Sequence, residues 1–152
     1  MSYVEDLRKM VGHRPLILVG SVVVIVNNEG EVLLQQRRFP EGAWGLPGGL
    51  MELGESTEDA AKREVFEETQ LYVRNLKLLN VYSGEAYFTT AKNGDEFYSV
   101  TTAYVTSFYR GSLQADLEES IQCSFLNPAD LPEKMIGSHR QIIEDYLRYD
   151  SI

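Results

Sequence analysis

The sequence predicts an α+β domain in which helices pack against a central mixed β-sheet. Its 152 residues, 43% of them hydrophobic, are enough to build one compact core. Its segments run in the order strands, helix, several strands and a last helix, which is typical of this class. No repeat, low-complexity tract or linker interrupts them, so we expect residues 1–152 to form a single domain.

The first half of the chain predicts a short helix, two strands and a long loop. Residues 4–10 have a helical pattern, and the β-branched run at residues 16–26 predicts a buried strand. Residues 31–37 predict a second strand. Because the turn-forming stretch Asn-Asn-Glu-Gly separates the two strands, we expect a hairpin. Residues 38–55 are rich in glycine and proline and predict a loop.

The second half predicts a helix, further strands and a closing helix. Ser56 is a favourable N-cap for a helix from Thr57 to Thr69. The remaining predicted elements are a strand with an irregular middle at 71–84, strands at 85–90 and 96–111 joined by a turn at Asn93-Gly94, a strand at 120–126, and an amphipathic helix after Ser138 with Ile142, Ile143, Tyr146 and Leu147 on one face.

Charge and cysteine content exclude several classes of function. The formal net charge of -9 disfavours non-specific binding to DNA or to anionic membranes, because phosphates repel an acidic protein. A single cysteine, Cys123, allows no internal disulfide and favours a reducing cytoplasm. Residues 1–15 lack the apolar stretch of a signal peptide, and the apolar run at 16–26 is too short to span a membrane.

The helix at 57–69 carries an acidic face. At about 100° per residue, Glu64, Glu67 and Glu68 fall within an arc of roughly 100°, and such like-charged pairs each destabilise a helix by about 0.2–0.5 kcal/mol. One explanation is a solvated face, screened by water and by Lys62 and Arg63. The other is that bound cations offset the repulsion.

The loop before this helix favours the cation explanation. Gly48 and Gly49 let the backbone approach a ligand closely, and Glu55 adds a carboxylate just before the helix cap. Oxygen donors from a helix face, a loop carboxylate and a backbone carbonyl suit Mg²⁺ or Mn²⁺, whereas a site without His or Cys disfavours zinc. The cations would leave coordination positions open for phosphate oxygens and water.

This stretch resembles the Nudix box, G-x5-E-x7-R-E-U-x-E-E-x-G-U with U an apolar residue. Gly49 and Glu55 match its start, and Arg63-Glu64-Val65, Glu67-Glu68 and Leu71 match its helix. The resemblance extends upstream through LLQQRR and WGLPGG and, more loosely, to FLNPADLP near the C-terminus. Only Gln70 departs from the pattern, at a glycine position that follows the helix end and often needs a left-handed conformation.

The resemblance implies an α/β/α sandwich around a mixed sheet and Mg²⁺-dependent hydrolysis of a diphosphate in a nucleoside diphosphate derivative. It also implies a role for each matching residue. Arg63 would orient the glutamates by ion pairing, or would be an ordinary surface arginine. The metal positions are Glu67 and Glu68 as main ligands, Glu64 as ligand or general base, Glu55 as support, and the Gly49 carbonyl.

Many relatives complete this site with a glutamate from a later loop. Aligning the segment that ends in Leu-Pro places Glu119 at that position, with Glu118 beside it. The resemblance therefore implies Glu119 as a second candidate for the general base. Both acids are equally compatible with an exposed loop.

Several residues are candidates for reading the substrate, each with a plain structural alternative. Arg37 and Arg38 suit bidentate phosphate contacts, or they solvate a strand end. Trp44 and Tyr87 are candidates for stacking on a base, as are Phe39, Tyr82 and Phe88, although aromatic residues more often belong to the core.

The resemblance implies a small nucleotide-type substrate without naming it. Dinucleoside polyphosphates, nucleoside triphosphates, nucleotide sugars and 5′-triphosphate RNA all remain open. The alternative function is a catalytically silent nucleotide-binding or regulatory protein, although that usually requires a damaged box. A homodimer is left open as well.

Overall fold

The computed structural model describes residues 2–150. They form three helices and ten strands, with helices on both faces of the main sheet. The helices are α1 (Tyr3–Val11), α2 (Thr57–Thr69) and α3 (His139–Asp150), with one 3₁₀ turn at Glu85–Tyr87. The strands are β1 (Leu16–Ile25), β2 (Val32–Arg37), β3 (Trp44–Gly45), β4 (Gly48–Leu50), β5 (Tyr72–Arg74), β6 (Lys77–Tyr82), β7 (Phe88–Thr90), β8 (Glu96–Thr106), β9 (Phe108–Arg110) and β10 (Ser120–Leu126).

The main sheet is mixed, with the order β4-β1-β8-β6 and β7 paired to β8. Strands β1 and β8 run parallel along the whole of β1, from Leu16 opposite Phe97 to Ile25 opposite Thr106. The pairs β1–β4, β6–β8 and β7–β8 are antiparallel. A second sheet has the order β10-β2-β3, and β5 pairs with β9.

Strand β1 separates two hydrophobic cores because its side chains alternate between the faces of the sheet. Val22 and Val24 belong to a cluster that includes Ile142 and Ile143 of α3. The intervening side chains belong to a cluster under α2. Helices therefore cover both faces of the sheet, and the predicted α/β/α sandwich with a central mixed sheet is confirmed.

The predicted hairpin between the first two strands is wrong. Strands β1 and β2 meet only at the bridge between Val26 and Val32, where the Asn27 N–H donates to the Glu31 carbonyl at 3.0 Å. Beyond that bridge they belong to different sheets. Both edges of β1 are already paired, one with β8 and the other with β4, so β2 pairs with β10 instead.

Two other segments also differ from the sequence prediction. The loop expected at 38–55 contains β3 and β4, which pair with β2 and β1. The strand expected at 71–84 is two strands in different sheets, separated near Asn75, whose φ is +54°. The predicted turn at Asn93-Gly94 is confirmed, because β7 and β8 pair across it.

The terminal helices are joined to the sheet in different ways. The Arg8 guanidinium of α1 donates to the Glu96 carbonyl at 2.6 Å and to the Arg14 carbonyl at 2.7 Å. Helix α3 buries Ile142 and Ile143, as predicted.

Among residues 2–150, no helix combines the length and apolar character that a membrane crossing requires.

Candidate active site

Helix α2 is held against the main sheet at its first turn. The Ser56 hydroxyl accepts a hydrogen bond from the Asp59 N–H at 3.0 Å, as expected for an N-cap. The Ser21 hydroxyl of β1 donates to the Thr57 carbonyl at 2.7 Å, and the Thr57 hydroxyl lies 2.7 Å from that of Tyr104. These contacts fix the helix so that its acidic face meets the glycine loop.

Arg63 is the centre of an ion-pair network on that face. Its Nε and Nη2 atoms contact the two Glu55 carboxylate oxygens at 2.6 and 2.9 Å. Its Nη1 atom lies 2.9 Å from Glu64 Oε1 and 3.3 Å from Glu67 Oε2. Nη2 also donates to the Leu50 carbonyl at 3.0 Å. One planar guanidinium therefore ties the loop carboxylate to two carboxylates of the helix.

The two best-anchored carboxylates of this network have opposite pKa shifts. The hydrogen bond from Arg63 holds the pKa of Glu55 below its ordinary value, helped by the Glu52 N–H at 2.7 Å. Burial raises the pKa of Glu64, and its contact with Arg63 only partly counteracts this. Glu64 is thus a carboxylate that a nearby positive charge would stabilise.

Glycines bring the loop backbone against Glu64. A Cβ atom on Gly49 would lie 2.4 Å from the Glu64 carboxyl carbon, a distance that real Cβ atoms essentially never show. A Cβ atom on Gly20 of β1 would lie 2.8 Å from the Gly49 carbonyl oxygen. The close approach of β1, β4 and α2 at this point therefore needs both glycines.

Glu68 is the buried acid of the site. Its Oε1 accepts a hydrogen bond from the Gly48 N–H at 2.8 Å. Burial raises the pKa of Glu68 to about 7, and the charge of Glu64 acts in the same direction. The charge of Arg37 opposes this shift. A carboxylate buried in this way is stabilised by a cation, whether from the protein or from solution.

A cavity of about 210 Å³ opens beside Glu68. Its lining includes both acids of the later loop and both arginines at the end of β2, the full set being Gln35, Arg37, Arg38, Phe39, Glu68, Glu118 and Glu119. The pairing of β10 with β2 explains this arrangement, because Ser120 lies opposite Arg37 and the Arg38 N–H donates to the Glu119 carbonyl at 3.3 Å. The structure thus brings Glu119, Arg37 and Arg38 to Glu68.

Two buried polar atoms in the cavity-lining residues have no partner. Gln35, only 1% exposed, leaves its Oε1 without a hydrogen bond among the described residues, and so does Arg37 with its buried Nε. Such atoms are rare in folded proteins and cost free energy unless a ligand or water satisfies them. The Gln35 side chain is hydrogen-bonded to Glu68, so the amide of Gln35 and the guanidinium of Arg37 both bear on the environment of that acid.

Two of the five candidate stacking residues, Trp44 and Tyr87, lie away from this cavity. Trp44 packs against the core cluster under α3 and bridges the backbone near Met135. Tyr87 packs on the same cluster, edge-on to Tyr82 with ring centroids 6.4 Å apart. Neither Trp44 nor Tyr87 lines the cavity beside Glu68. The structure therefore places Phe39, and neither of these two, beside the acids.

The predicted metal ligands are of the chemical type that a hard divalent cation prefers. Glu64, Glu67, Glu68 and the Gly49 carbonyl supply only oxygen, which Mg²⁺ and Mn²⁺ prefer. Within residues 2–150 no three acidic, His or Cys side chains converge in a geometry that could hold a metal. Arg63 is ion-paired with Glu55, Glu64 and Glu67, three of the acids that the sequence assigns to the metal site.

Sequence reasoning missed Gln35 and Gly20. The available signal was a polar residue in a strand whose neighbours Leu33 and Leu34 are buried, since a buried amide usually has a specific partner. Gly20 inside a β-branched run was a similar signal, because glycine in a strand often marks a close backbone approach. Neither signal identifies the partner, which comes from a distant part of the chain.

Comparison with known proteins agrees with this geometry. The model of the NUDIX domain matches residues 17–146. An ADP-ribose pyrophosphatase from Methanocaldococcus jannaschii is 30% identical over 127 residues, covering 82% of this chain and 70% of the relative. A MutT-like protein from Streptomyces ambofaciens is 33% identical over 125 residues, covering 80% and 71% of the two chains.

Solved structures give the same answer for the fold. A MutT NUDIX hydrolase from Burkholderia pseudomallei superposes with a TM-score of 0.74 at 27% identity, covering 86% of this chain and 98% of that one. The chain therefore belongs to the Nudix family of hydrolases, and the resemblance found in its sequence is confirmed. Members of this family act on nucleoside diphosphate derivatives and generally use divalent cations.

Proposed function

We propose that this protein is a divalent-metal-dependent hydrolase that cleaves the diphosphate linkage of a nucleoside diphosphate derivative. The observation that carries the proposal is the cavity beside Glu68. It combines a buried carboxylate of the box helix with Arg37, Arg38 and Glu119. A diphosphate needs cationic donors for its oxygens and a base for the attacking water, and this cavity offers both.

Glu67 and Glu68 would be the main ligands of Mg²⁺ or Mn²⁺, with Glu64, Glu55 and the Gly49 carbonyl completing or supporting the site. A bound cation would neutralise phosphate oxygens and orient the attacking water. Arg63 is a positioning residue in this scheme, because it holds the carboxylates of Glu55 and Glu64 without lining the cavity.

The remaining residues act directly on substrate and water. Arg37 and Arg38 line the cavity and are the candidate donors for phosphate oxygens. The water oxygen attacks one phosphorus in line, the phosphoanhydride P–O bond breaks, and the departing phosphate keeps the bonding electron pair. Arginines suit this task, because their planar donors bind phosphate oxygens in pairs.

Glu119 is the candidate for the general base that takes the proton of the attacking water. Among the described residues its carboxylate makes no hydrogen bond or ion pair, and it lines the cavity. Glu64, the other candidate, is paired with Arg63 at 2.9 Å and is better placed as a metal ligand. We expect Glu119→Gln to lower kcat by about 10²–10⁴-fold, the usual contribution of a general base.

The substrate class follows from the family and from one relative. Nucleoside diphosphates joined to a second group are the compounds that the name ADP-ribose pyrophosphatase describes for the M. jannaschii protein. We propose that this protein acts on the same class of compound and cleaves it to two phosphomonoesters. We also propose that residues 1–152 form one domain and that the protein works in the cytoplasm. The single cysteine of the chain supports that location.

A hydrolysis panel tests the proposal. Purified protein would be assayed with Mg²⁺ and with Mn²⁺ against dinucleoside polyphosphates, ADP-ribose, nucleotide sugars, nucleoside triphosphates and triphosphorylated RNA. We expect metal-dependent turnover of a diphosphate-linked substrate that is lost in Glu67→Gln and in Glu68→Gln. Glu58→Gln is the matched control, because Glu58 is a half-buried acid of the same helix that pairs with Lys62 at 3.3 Å.

Two results would contradict the proposal. Turnover that survives both substitutions would mean that α2 does not hold the catalytic cations. Metal-dependent binding of a nucleotide without turnover of any substrate would instead favour the silent nucleotide-binding protein.

A further inference from the structure

One face of strand β2 changes from apolar to polar as it approaches the buried acid of the site. Leu33 of β2 lies opposite Phe125 of β10, and both pack in the core cluster under α2. Two residues further along the same face, Gln35 lies opposite Cys123. The Cys123 thiol donates to the Glu68 carbonyl at 3.9 Å, so this pair lies against the end of α2. Gln35 therefore occupies the position where the apolar core meets the acidic helix.

Gln35 is a buried amide that contacts Glu68. Only 1% of Gln35 is exposed, and it lines the same cavity as Glu68. The two side chains are hydrogen-bonded, and the bond lowers the pKa of Glu68, as expected when the amide N–H donates to the ionised carboxylate. The amide oxygen, Oε1, has no partner among residues 2–150. The amide thus satisfies the neighbouring acid and leaves its own oxygen unpaired.

Core packing alone does not explain a glutamine at this position. An unpaired buried oxygen lowers the free energy of unfolding, whereas an apolar side chain of similar size would not carry that cost. The preceding pair on this face, Leu33 and Phe125, is apolar throughout. The contact with Glu68 is the feature that distinguishes Gln35 from its neighbours on the face.

Glu68 is held from two sides by neutral donors. Its Oε1 accepts from the Gly48 N–H at 2.8 Å, and the Gln35 amide is the second donor. Neutral donors fix the direction of a carboxylate and leave its negative charge in place. A cationic side chain at position 35 would instead pair with the acid, as Arg63 does with Glu55 at 2.6 Å. Carboxylates that bind metals are commonly oriented by hydrogen bonds of the neutral kind.

We propose that Gln35 is a positioning residue that orients the Glu68 carboxylate for a divalent cation while preserving its charge. The amide acts only through Glu68 and touches neither the cation nor the substrate. The inference rests on the proposed function, since it takes Glu68 as a ligand of Mg²⁺ or Mn²⁺. Its consequence is that the affinity for the cation depends on a strand residue outside the acidic helix.

Gln35→Met tests this role, because methionine is unbranched and of similar length but has no hydrogen-bond donor. The readout is the dissociation constant of Mn²⁺, obtained from free Mn²⁺ by electron paramagnetic resonance. We expect binding to weaken about tenfold, since removing a group that holds a metal ligand usually costs about 10–100-fold in affinity.

Gln36→Met is the matched control. It makes the same change at the next residue of β2, whose side chain points to the opposite face of the strand. The Gln36 amide donates to the Gly42 carbonyl at 3.2 Å and accepts from Gln122 at 2.9 Å. We expect Gln36→Met to bind Mn²⁺ as the wild type does.

Double variants separate a positioning role from a general effect on the structure. If Gln35 acts only through Glu68, adding Gln35→Met to Glu68→Gln should leave the Mn²⁺ dissociation constant unchanged. Adding Gln35→Met to Glu67→Gln should still weaken binding about tenfold. A merely structural role of Gln35 would weaken binding equally in both backgrounds.

Three results would overturn the inference: wild-type Mn²⁺ affinity in Gln35→Met, an equal loss in Gln36→Met, or a tenfold loss that persists in the Glu68→Gln background. Urea titration checks that each variant is folded. If Gln35→Met does not fold, Gln35→Asn replaces it, because asparagine withdraws the amide by one methylene. Weaker Mn²⁺ binding in Gln35→Asn would support the inference, and wild-type affinity would overturn it.

Failure of the proposed function would be distinguishable. A wild type that binds Mn²⁺ but hydrolyses no compound would contradict the proposed function, while the comparison of variants would still decide the role of Gln35. Turnover that is lost in Glu67→Gln and Glu68→Gln, with Mn²⁺ affinity unchanged in Gln35→Met, would support the proposed function and overturn the inference. A wild type that does not bind Mn²⁺ would overturn both.

Discussion

Gln70 ends helix α2 in a conformation that glycine adopts at lower cost. Its φ and ψ of +65° and +12° are left-handed, and its N–H donates to the Phe66 carbonyl at 2.9 Å. A left-handed residue with a Cβ costs roughly 1–2 kcal/mol. We therefore expect Gln70→Gly to raise the free energy of unfolding by about 1 kcal/mol in urea titration. A loss of stability would show that the Gln70 side chain stabilises this helix end.

Gly49 sets the distance between the loop and the acidic helix. In Gly49→Ala the new Cβ would lie 2.4 Å from the Glu64 carboxyl carbon, so Glu64 or β4 must move. We expect a loss of about 1–3 kcal/mol in stability, as for other overpacked sites, and a fall in kcat. Gly137→Ala is the control, since nothing lies within 4 Å of a Cβ at that position. Equal effects of both variants on kcat would contradict this role of Gly49.

Most residues of the acidic cluster were predictable from the sequence, because their spacing alone places them on one helix face. The spacing of Gly49, Glu55 and Arg63 is also specific enough to indicate the family from the sequence alone. The partners that come from distant segments were harder. The placement of Gln35 and Arg37 beside Glu119 depends on β10 lying beside β2, and a sequence pattern does not determine that pairing.

At the scale of elements, His139 joins α3 to the loop between β3 and β4. Its Nδ1 accepts a hydrogen bond from the Leu46 N–H at 2.9 Å. Burial lowers the pKa of His139 to about 3, and the charge of Arg37 acts in the same direction. The ring therefore stays neutral in the folded protein while it titrates near 6.5 in the unfolded chain.

This difference makes stability depend on pH. Below about pH 6.5 the unfolded chain binds a proton that folded His139 does not, so the free energy of unfolding falls by about 1.4 kcal/mol for each further pH unit. Glu68 opposes this, because its pKa, raised to about 7, lets the folded state bind a proton first. The difference between wild type and His139→Gln isolates His139.

We expect the stability curves of wild type and His139→Gln to converge as the pH falls from 6.5 to 4.5, because only wild type loses the contribution of neutral His139. Urea titrations at several pH values measure this. Glutamine is the chosen replacement, since its amide oxygen accepts a hydrogen bond as Nδ1 does. Curves that stay parallel would contradict the assignment of a buried neutral ring.

The elements themselves were predictable to different degrees. Helix α2 begins and ends where its cap and periodicity indicate, because both signals are local. The pairing of β1 was not predictable in this way. A short turn favours a hairpin, but β8 and β4 occupy both edges of β1, and those contacts join residues far apart in the chain. Long-range pairing thus overrode a correct local turn signal.

At the scale of the whole molecule, charge is unevenly distributed. The formal net charge is -9, yet Arg37 and Arg38 both line the cavity beside the buried Glu68. A net negative charge of this size disfavours long nucleic acids through its general field, and we expect the local arginines to offset that repulsion for a single phosphate chain. The central claim is that divalent cations on α2 complete this arrangement.

Binding of Mn²⁺ tests that claim most directly, because it requires no knowledge of the substrate. Free Mn²⁺ would be measured by electron paramagnetic resonance during titration of wild type, Glu67→Gln, Glu68→Gln and the control Glu58→Gln. We predict that wild type and Glu58→Gln bind Mn²⁺ equally and that the other two variants bind it at least about tenfold more weakly, since each loses a charged oxygen ligand. Equal affinity in all four proteins would contradict the claim that the acidic face of α2 holds the metal.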